Sequence, residues 1–374
     1  TILEQHPTFH DTIWFDTFHH RIFTSWDTEP RFWRDGDTAR LLIFLQRAMG
    51  LQKMPHQAVE DALSVFVQTR HRHEVQDWMK TLAWDGVPRL DTCFPLLFGA
   101  PDTPYVRAAS RNFWLGVAAR VYLPGCQMDH LVVLEGPQGQ GKTNALRALG
   151  GPWYRAITES VLSKDFFQLL PGMLIGEIAE LDSFRHAEVA RIKHVLSTPS
   201  DSYRRSYGRQ PQTYPRSCVF VATTNEDFYL RDHTGARRFW PILCGDINLT
   251  AIRAHRDQLF TEAATTFKKG CTWWEMPEEA AQEQETRREV DAWESPIVEY
   301  LLLHEDVTLK DVLCDAVQVP LGQIDRSAQR RAAAILKKSG WHSTVIRRGD
   351  MTLRRWVAST RQPGEDLQTS DFAV

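Results

Sequence analysis

The chain has 374 residues, long for one domain at roughly 100–200 residues each, and its 43% hydrophobic and 24% charged residues exclude a mostly disordered or collagen-like polymer. No run of about 18 apolar residues occurs, which sets aside a helical membrane protein. The formal net charge of −3, taken as a chain average, gives no sign of a polyanionic partner.

Residues 1–125 read as a Trp-rich helical block. Leu41–Met49 and Pro55–Arg70 place apolar residues at helical spacing, among them Val59, Ala62, Leu63 and Phe66. Leu82-Ala-Trp-Asp-Gly-Val-Pro-Arg-Leu90 interrupts them with turn chemistry, and a helix over Tyr105–Leu123 stops at Pro124-Gly125. His71 and His73, with Glu74 and Asp77 nearby, match no metal-ligand spacing and read as solvated or core histidines. The chain opens at Thr1 without Met or a charged, apolar leader, which fits a fragment with no secretory signal. Six scattered cysteines without a C-x-x-C pair add the expectation of a reducing, cytoplasmic location.

Residues 126–274 alternate apolar runs of strand length (Leu131–Glu135, Met173–Ile178, Cys218–Thr223) with helical segments at Thr143–Leu149, Lys164–Leu170 and His186–Leu196. That alternation predicts an α/β core with a parallel sheet covered on both faces. Residues 275–295 are acidic, with only Arg287 and Arg288 opposing, and read as a solvated helix and linker. Residues 296–361 follow the order helix (Ile297–Leu303), helix (Lys310–Ala316), helix (Ser327–Ser339) and two strands around Arg348-Gly-Asp350, the pattern of a winged helix. Leu321–Arg361 holds ten basic residues against Asp325 and Asp350, a local balance of +8. Residues 362–374 read as a polar tail.

The strongest chemical signal is Gly136-Pro137-Gln138-Gly139-Gln140-Gly141-Lys142-Thr143, a complete G-x-x-x-x-G-K-T between an apolar strand and a helix. Glycines let backbone amides cradle phosphate oxygens and the helix N-terminus adds its dipole. Lys142 then neutralises the outer phosphates of ATP and Thr143 places its hydroxyl on Mg²⁺. The acid that completes such a site belongs at the end of the strand Met173–Ile178. Glu177 is the first choice for the metal and base role and Glu180 the second. Asn225, closing the next strand, suits a residue that orients the attacking water. Arg237 and Arg238 precede another apolar strand and suit an arginine finger supplied by a neighbouring subunit, either one serving. Gly136 to Asn225 spans only 90 residues, a motor core without inserted domains.

Two basic regions point to DNA. Arg204, Arg205 and Arg209, with Tyr203, Tyr207, Tyr214 and Arg216, form a basic-aromatic segment of the kind that holds single strands by phosphate contact and stacking. In the last block, Ala328–Lys338 would act as a recognition helix carrying Arg330, Arg331, Lys337 and Lys338, with Arg347 and Arg348 in the wing. Subunit contact is the alternative use of that block.

Together these phrases resemble the virulence-associated protein E family of phages and genomic islands. The resemblance runs from about Trp84 to Trp274 and is carried by 82–90, 134–143, Gly176-Glu-Ile-Ala-Glu-Leu181, 201–209, Thr223-Thr-Asn225, 229–241 and Arg256-Asp-Gln-Leu-Phe260. It implies a branch of the superfamily 3 helicases within the AAA+ ATPases: a P-loop core, a ring oligomer, often a hexamer, and translocation on single-stranded or forked DNA during replication. It also implies that 200–216 corresponds to the DNA-engaging hairpin of that superfamily and that a primase-like region lies upstream. The expected function is an ATP-dependent helicase or replication initiator; the alternative is an ATPase switch that senses DNA or a phage component and assembles without unwinding.

Overall fold

The computed structural model describes residues 2–359 apart from 28, 52, 164, 182–185, 205–210, 227–228, 230–235, 288–290 and 349–350. The chain divides into two compact units, Thr1–Arg288 and Glu289–Val374.

The first block of the larger unit is mostly helical, as expected, but it also holds a sheet that was not expected. Ile13–Asp16, Arg21–Thr24, Arg31–Phe32 and His71–Arg72 form a four-stranded sheet in which Ile13–Asp16 pairs antiparallel with Arg21–Thr24 and parallel with His71–Arg72. Ile-Trp-Phe-Asp and Arg-Ile-Phe-Thr are short aromatic and β-branched runs, each too brief to show alternation. Helices Asp35–Met49 and His56–Val67 bury Leu41, Leu45, Val59, Leu63 and Phe66 with Phe9 and Ile13. His73 is buried and caps the helix Glu74–Lys80 through Nδ1.

The main sheet has five parallel strands: β1 (Leu131–Glu135), β2 (Tyr154–Ala156), β3 (Ile175–Ile178), β4 (Val219–Thr224) and β5 (Phe239–Leu243). Their spatial order is β5-β1-β4-β3-β2. Every residue of β1, β3 and β4 is buried, the mark of a sheet covered on both faces. Alternate side chains of β1 feed two cores: Val132 and Leu134 join one, Leu131 and Val133 the other.

The first core is dominated by helix α1 (Pro104–Tyr122). Thr103 caps it and Pro104 sits at its first turn, where the missing N–H costs nothing. It is buried nearly all round, which is why its sequence shows no clean apolar stripe. Trp114, wholly buried, meets Phe260 of α4 (Leu249–Lys268) edge-on at 5.2 Å. Between β1 and β2 runs α2 (Lys142–Gly150), and α3 (His186–Ser197) lies between β3 and β4. The helix expected over Lys164–Leu170 is a single 3₁₀ turn, Phe166–Leu169.

The acidic stretch is less solvated than expected. Helix Glu279–Thr286 buries Ala280 and Gln284, and Gln284 Nε2 donates to the Phe239 carbonyl at 3.0 Å.

The smaller unit holds helix Glu294–Leu302, a short turn of helix Leu309–Asp311 continued by a π-turn over Val312–Ala316, helix α5 (Arg326–Lys338), and the hairpin Trp341–Arg348/Met351–Ala358. A strand unforeseen in the sequence, Asp306–Val307, adds a third member to that sheet. Ala332, Ile335 and Leu336 of α5 pack on Trp341 and Trp356.

Candidate functional site

The loop 136–141 leaves the carboxyl end of β1 and runs into α2, the place where open parallel sheets bind ligands. Gly136, Gly139 and Gly141 all have positive φ, at 139°, 83° and 94°. At Gly136 the positive φ strains any residue with a side chain, and a Cβ would also lie 2.1 Å from Gln140 Oε1 and displace that side chain. Gln140 itself pins the loop: its Nε2 donates to the carbonyls of Cys244 at 2.8 Å and Gly245 at 2.6 Å, just past β5.

Lys142 is buried at the start of α2. Its Nζ donates to the carbonyls of Gly136 and Pro137 and to Asn225 Oδ1, the last at 3.3 Å. Thr143 Oγ1 donates to Glu177 Oε1 at 2.6 Å, and Thr223 Oγ1 reaches the same oxygen at 3.2 Å. The Tyr154 hydroxyl donates to Glu177 Oε2. Glu177 is therefore fully buried with both carboxylate oxygens bonded, held by hydroxyls from three different segments. Burial and the adjacent Glu177 carboxylate push the Tyr154 phenol well above its ordinary range, so it stays a donor.

Lys142, Thr143, Glu177 and Asn225 are thus gathered in one place from α2, β3 and the end of β4. Glu180 is exposed, two residues past β3, with a left-handed φ of 52°. Among the described contacts, Glu177 is the acid beside Thr143.

A second buried cluster lies at the end of β1. Glu135 accepts from the Tyr229 hydroxyl at 2.8 Å and from Arg287 Nε at 2.8 and 3.0 Å, and Arg287 also bonds Glu283. Burial alone would lower the Arg287 pKa, but the two carboxylates outweigh it and hold the guanidinium charged. Tyr229 is raised well above its usual value by burial and by Glu135.

Arg237 and Arg238 sit at the opposite end of the sheet. They immediately precede β5, whose Phe239 pairs with Leu131 and whose Leu243 pairs with Glu135. Arg237 is exposed and Arg238 Nε donates to Ser197 Oγ at 3.1 Å.

The basic-aromatic segment is in part a β-hairpin, Ser200–Tyr203 against Gln212–Pro215. Arg216 does not belong to its exposed surface: it is buried, with Nε 3.0 Å from Asp201 Oδ2, and closes the hairpin base. Arg204, one residue past the strand Ser200–Tyr203, is exposed, whereas Arg205, Tyr207 and Arg209 lie outside the described residues. In the smaller unit Arg330 and Lys337 are exposed, while Arg331 pairs with Asp291 at 2.7 Å and Lys338 with Glu294 at 2.8 Å. Those two acids lie just outside the window that gave +8 and offset part of it. The backbones of Arg347 and Arg348 lie in the hairpin strand, but their side chains are outside the described set.

Sequence reasoning missed Tyr154, Thr223, Glu135 and Arg287. Thr223 lay in a quoted phrase, but Tyr154 carried no motif, and Arg287 was hidden in an acidic run. The phrases 82–90 and 256–260 brace one another: Gln258 bonds the backbone at Ala83 and Asp85, and Glu262 accepts from the Arg89 amide. Arg256 stacks over Trp78 and donates to the Leu149 carbonyl at the end of α2.

A family model described as the virulence-associated protein E-like domain matches residues 79–292, more than half of the chain. The chain has no match among curated proteins. Among solved structures, the apo structure of the NrS-1 C-terminal region (305-718) is similar at 16% identity with a TM-score of 0.53, covering 92% of this chain and 95% of that one. An A-form apo structure of the same region is similar at 14% identity with a TM-score of 0.50, covering 92% and 96%. At these identities the likeness is one of fold. Among the described residues no helix is long and apolar enough to cross a membrane.

Proposed function

Because the chain belongs to the virulence-associated protein E-like domain family, we propose that it is an ATP-dependent motor of the superfamily 3 kind within the AAA+ ATPases, acting on single-stranded or forked DNA in phage or genomic-island replication. The observation that carries this reading is the convergence of Lys142, Thr143, Glu177 and Asn225 at the mouth of a glycine loop. The strand order β5-β1-β4-β3-β2 supports it, as does the hairpin between β3 and β4.

The residues present fit a nucleoside triphosphate with Mg²⁺: three glycines free to turn their amides inward, a lysine at the loop mouth, and a buried carboxylate beside a threonine hydroxyl. The amides of 136–141 and Lys142 would hold the phosphates, and Thr143 with Glu177 would hold the metal. Bound Mg²⁺ supplies charge neutralisation at the outer phosphates. Glu177, fixed by three hydroxyls, would accept a proton from a water, and Asn225 would orient that water. Arg237 or Arg238 of another copy would complete the site, which makes a ring, often a hexamer, the working form. The smaller unit supplies a winged-helix-like DNA contact through Arg330, Lys337 and the 347–348 strand, and an upstream primase-like region would hand it a start site.

A forked-duplex strand-displacement assay tests the reading. ATP-driven displacement that is lost with Lys142→Ala supports the helicase. DNA-stimulated hydrolysis without displacement supports the assembling switch instead, and no hydrolysis by the unaltered chain overturns both.

A further inference from the structure

Outside the region matched by the family model, the N-terminal sheet carries an open cavity of about 320 Å³ lined by His10, Asp11, Trp14, Arg70, His71 and Arg72, among others. Its two arginines differ from their neighbours. In the same block Arg31 and Arg40 are neutralised by Asp27 and Asp37. Arg70 and Arg72 have no carboxylate within ion-pair distance among the described residues; they donate to carbonyl oxygens. Arg70 Nε bonds the His10 carbonyl at 3.3 Å and Arg72 Nη2 bonds the next one, Asp11, at 3.1 Å, so both side chains are anchored on consecutive carbonyls at one cavity. Each is also braced by a ring, Arg70 over Phe66 at 4.0 Å and Arg72 over Trp14 at 4.3 Å.

Carbonyl bonds and ring stacking fix a guanidinium without cancelling its charge, and the planar fork keeps further N–H donors for a phosphate. Thr69 Oγ1 accepts from Arg70 Nη1 at 3.1 Å and presents a hydroxyl at the same rim. The one carboxylate in the lining, Asp11, accepts from His10 Nδ1 at 3.1 Å. Two preorganised cations lining one cavity at the edge of the sheet match successive phosphates of a chain better than one isolated anion. We propose that this pocket is a further contact for the sugar-phosphate backbone of a nucleic acid strand, separate from the hairpin and the C-terminal unit. The partner rests on the functional reading above; the site does not use any of its motor residues.

The test is binding of a fluorescein-labelled oligo-dT strand by the full chain over a salt series, with ATP hydrolysis in the absence of DNA measured alongside. Each phosphate contact on a single strand contributes about 0.7 to the log–log salt slope. Arg70→Ala with Arg72→Ala is expected to lower affinity about tenfold and the slope by about 1.4, with basal hydrolysis unchanged. Arg70→Lys with Arg72→Lys, which keeps the charge, is expected to restore most of the slope. Unchanged affinity and slope in the alanine variant overturns the pocket while leaving the motor reading intact. An unaltered chain that hydrolyses ATP but binds no strand overturns both.

Discussion

Glu177 Oε1 lies 2.6 Å from Thr143 Oγ1, so the side chain next to the loop lysine is tied directly to the buried acid of β3. Thr223 and Tyr154 bond the same carboxylate from β4 and β2. A carboxylate bonded at both oxygens has one orientation, which is what a metal-assisted site requires of its acid.

Tyr154 is expected to act through Glu177 without touching ATP. Tyr154→Phe keeps the ring and removes the one described donor to Oε2. Hydrolysis should fall roughly tenfold or more, with half-saturation shifted to higher Mg²⁺ and KM for ATP within about twofold. Steady-state kinetics over a Mg²⁺ series check this; an unchanged kcat and Mg²⁺ profile would show that Thr143 and Thr223 suffice.

Arg287 holds a structural charge. Its removal leaves Glu135 buried with the Tyr229 hydroxyl as its remaining side-chain partner among the described residues, and breaking such a pair costs about 3–5 kcal/mol. Arg287→Ala should therefore shift the urea midpoint strongly downward. Replacing both partners, Glu135→Gln with Arg287→Met, should recover most of the loss, because the buried charge is gone and the remaining one, Glu283, is part-exposed. A double variant as unstable as the single one would contradict this account.

His130 gives the fold a pH dependence. It stacks on Trp240 at 4.0 Å and its Nε2 lies 3.0 Å from the Trp273 carbonyl. Burial lowers its pKa from 6.5 to about 4, against a smaller opposing pull from Asp129. The unfolded chain thus takes up this proton first as pH falls. The stabilisation from keeping the ring neutral is full above pH 6.5 and declines to a floor near pH 4, about 3 kcal/mol in all. Denaturant midpoints measured from pH 7 to 4.5 should fall more steeply for the native chain than for His130→Phe; parallel curves would exclude His130 as the source.

The site was legible where chemistry forces a local pattern. The run from Gly136 to Thr143 must be contiguous because one backbone turn makes the cradle, and Glu177 and Asn225 were placed because strands of a parallel sheet end on one edge. Tyr154 was not legible: it meets Glu177 only because β2 pairs with β3, and pairing carries no local signature. The N-terminal sheet was missed for a related reason. Its strands are four residues or fewer, and His71–Arg72 reaches Ile13–Asp16 across more than 50 residues. Arg216 misled because a basic run does not tell a surface arginine from one buried against Asp201.

Arg237 and Arg238 set the last prediction. The loop follows Glu135 at the carboxyl end of β1, whereas both arginines precede Phe239, which pairs with Leu131 at the other end. Four residues of parallel strand separate the two ends, about 13 Å of backbone rise, and the body of the sheet lies between. Neither arginine can serve the loop of its own chain. A catalytic arginine from this pair must come from another copy, and hydrolysis per chain should rise with protein concentration as copies assemble. Alanine at the serving arginine should lower hydrolysis by about 10³-fold, with little effect at the other. Mixing that variant with Lys142→Ala, each inactive alone, should restore activity, since about a quarter of head-to-tail interfaces then combine an intact lysine with an intact arginine. If the mixture stays as inactive as its parts while wild-type chains are active under the same conditions, the arginine does not act across the interface.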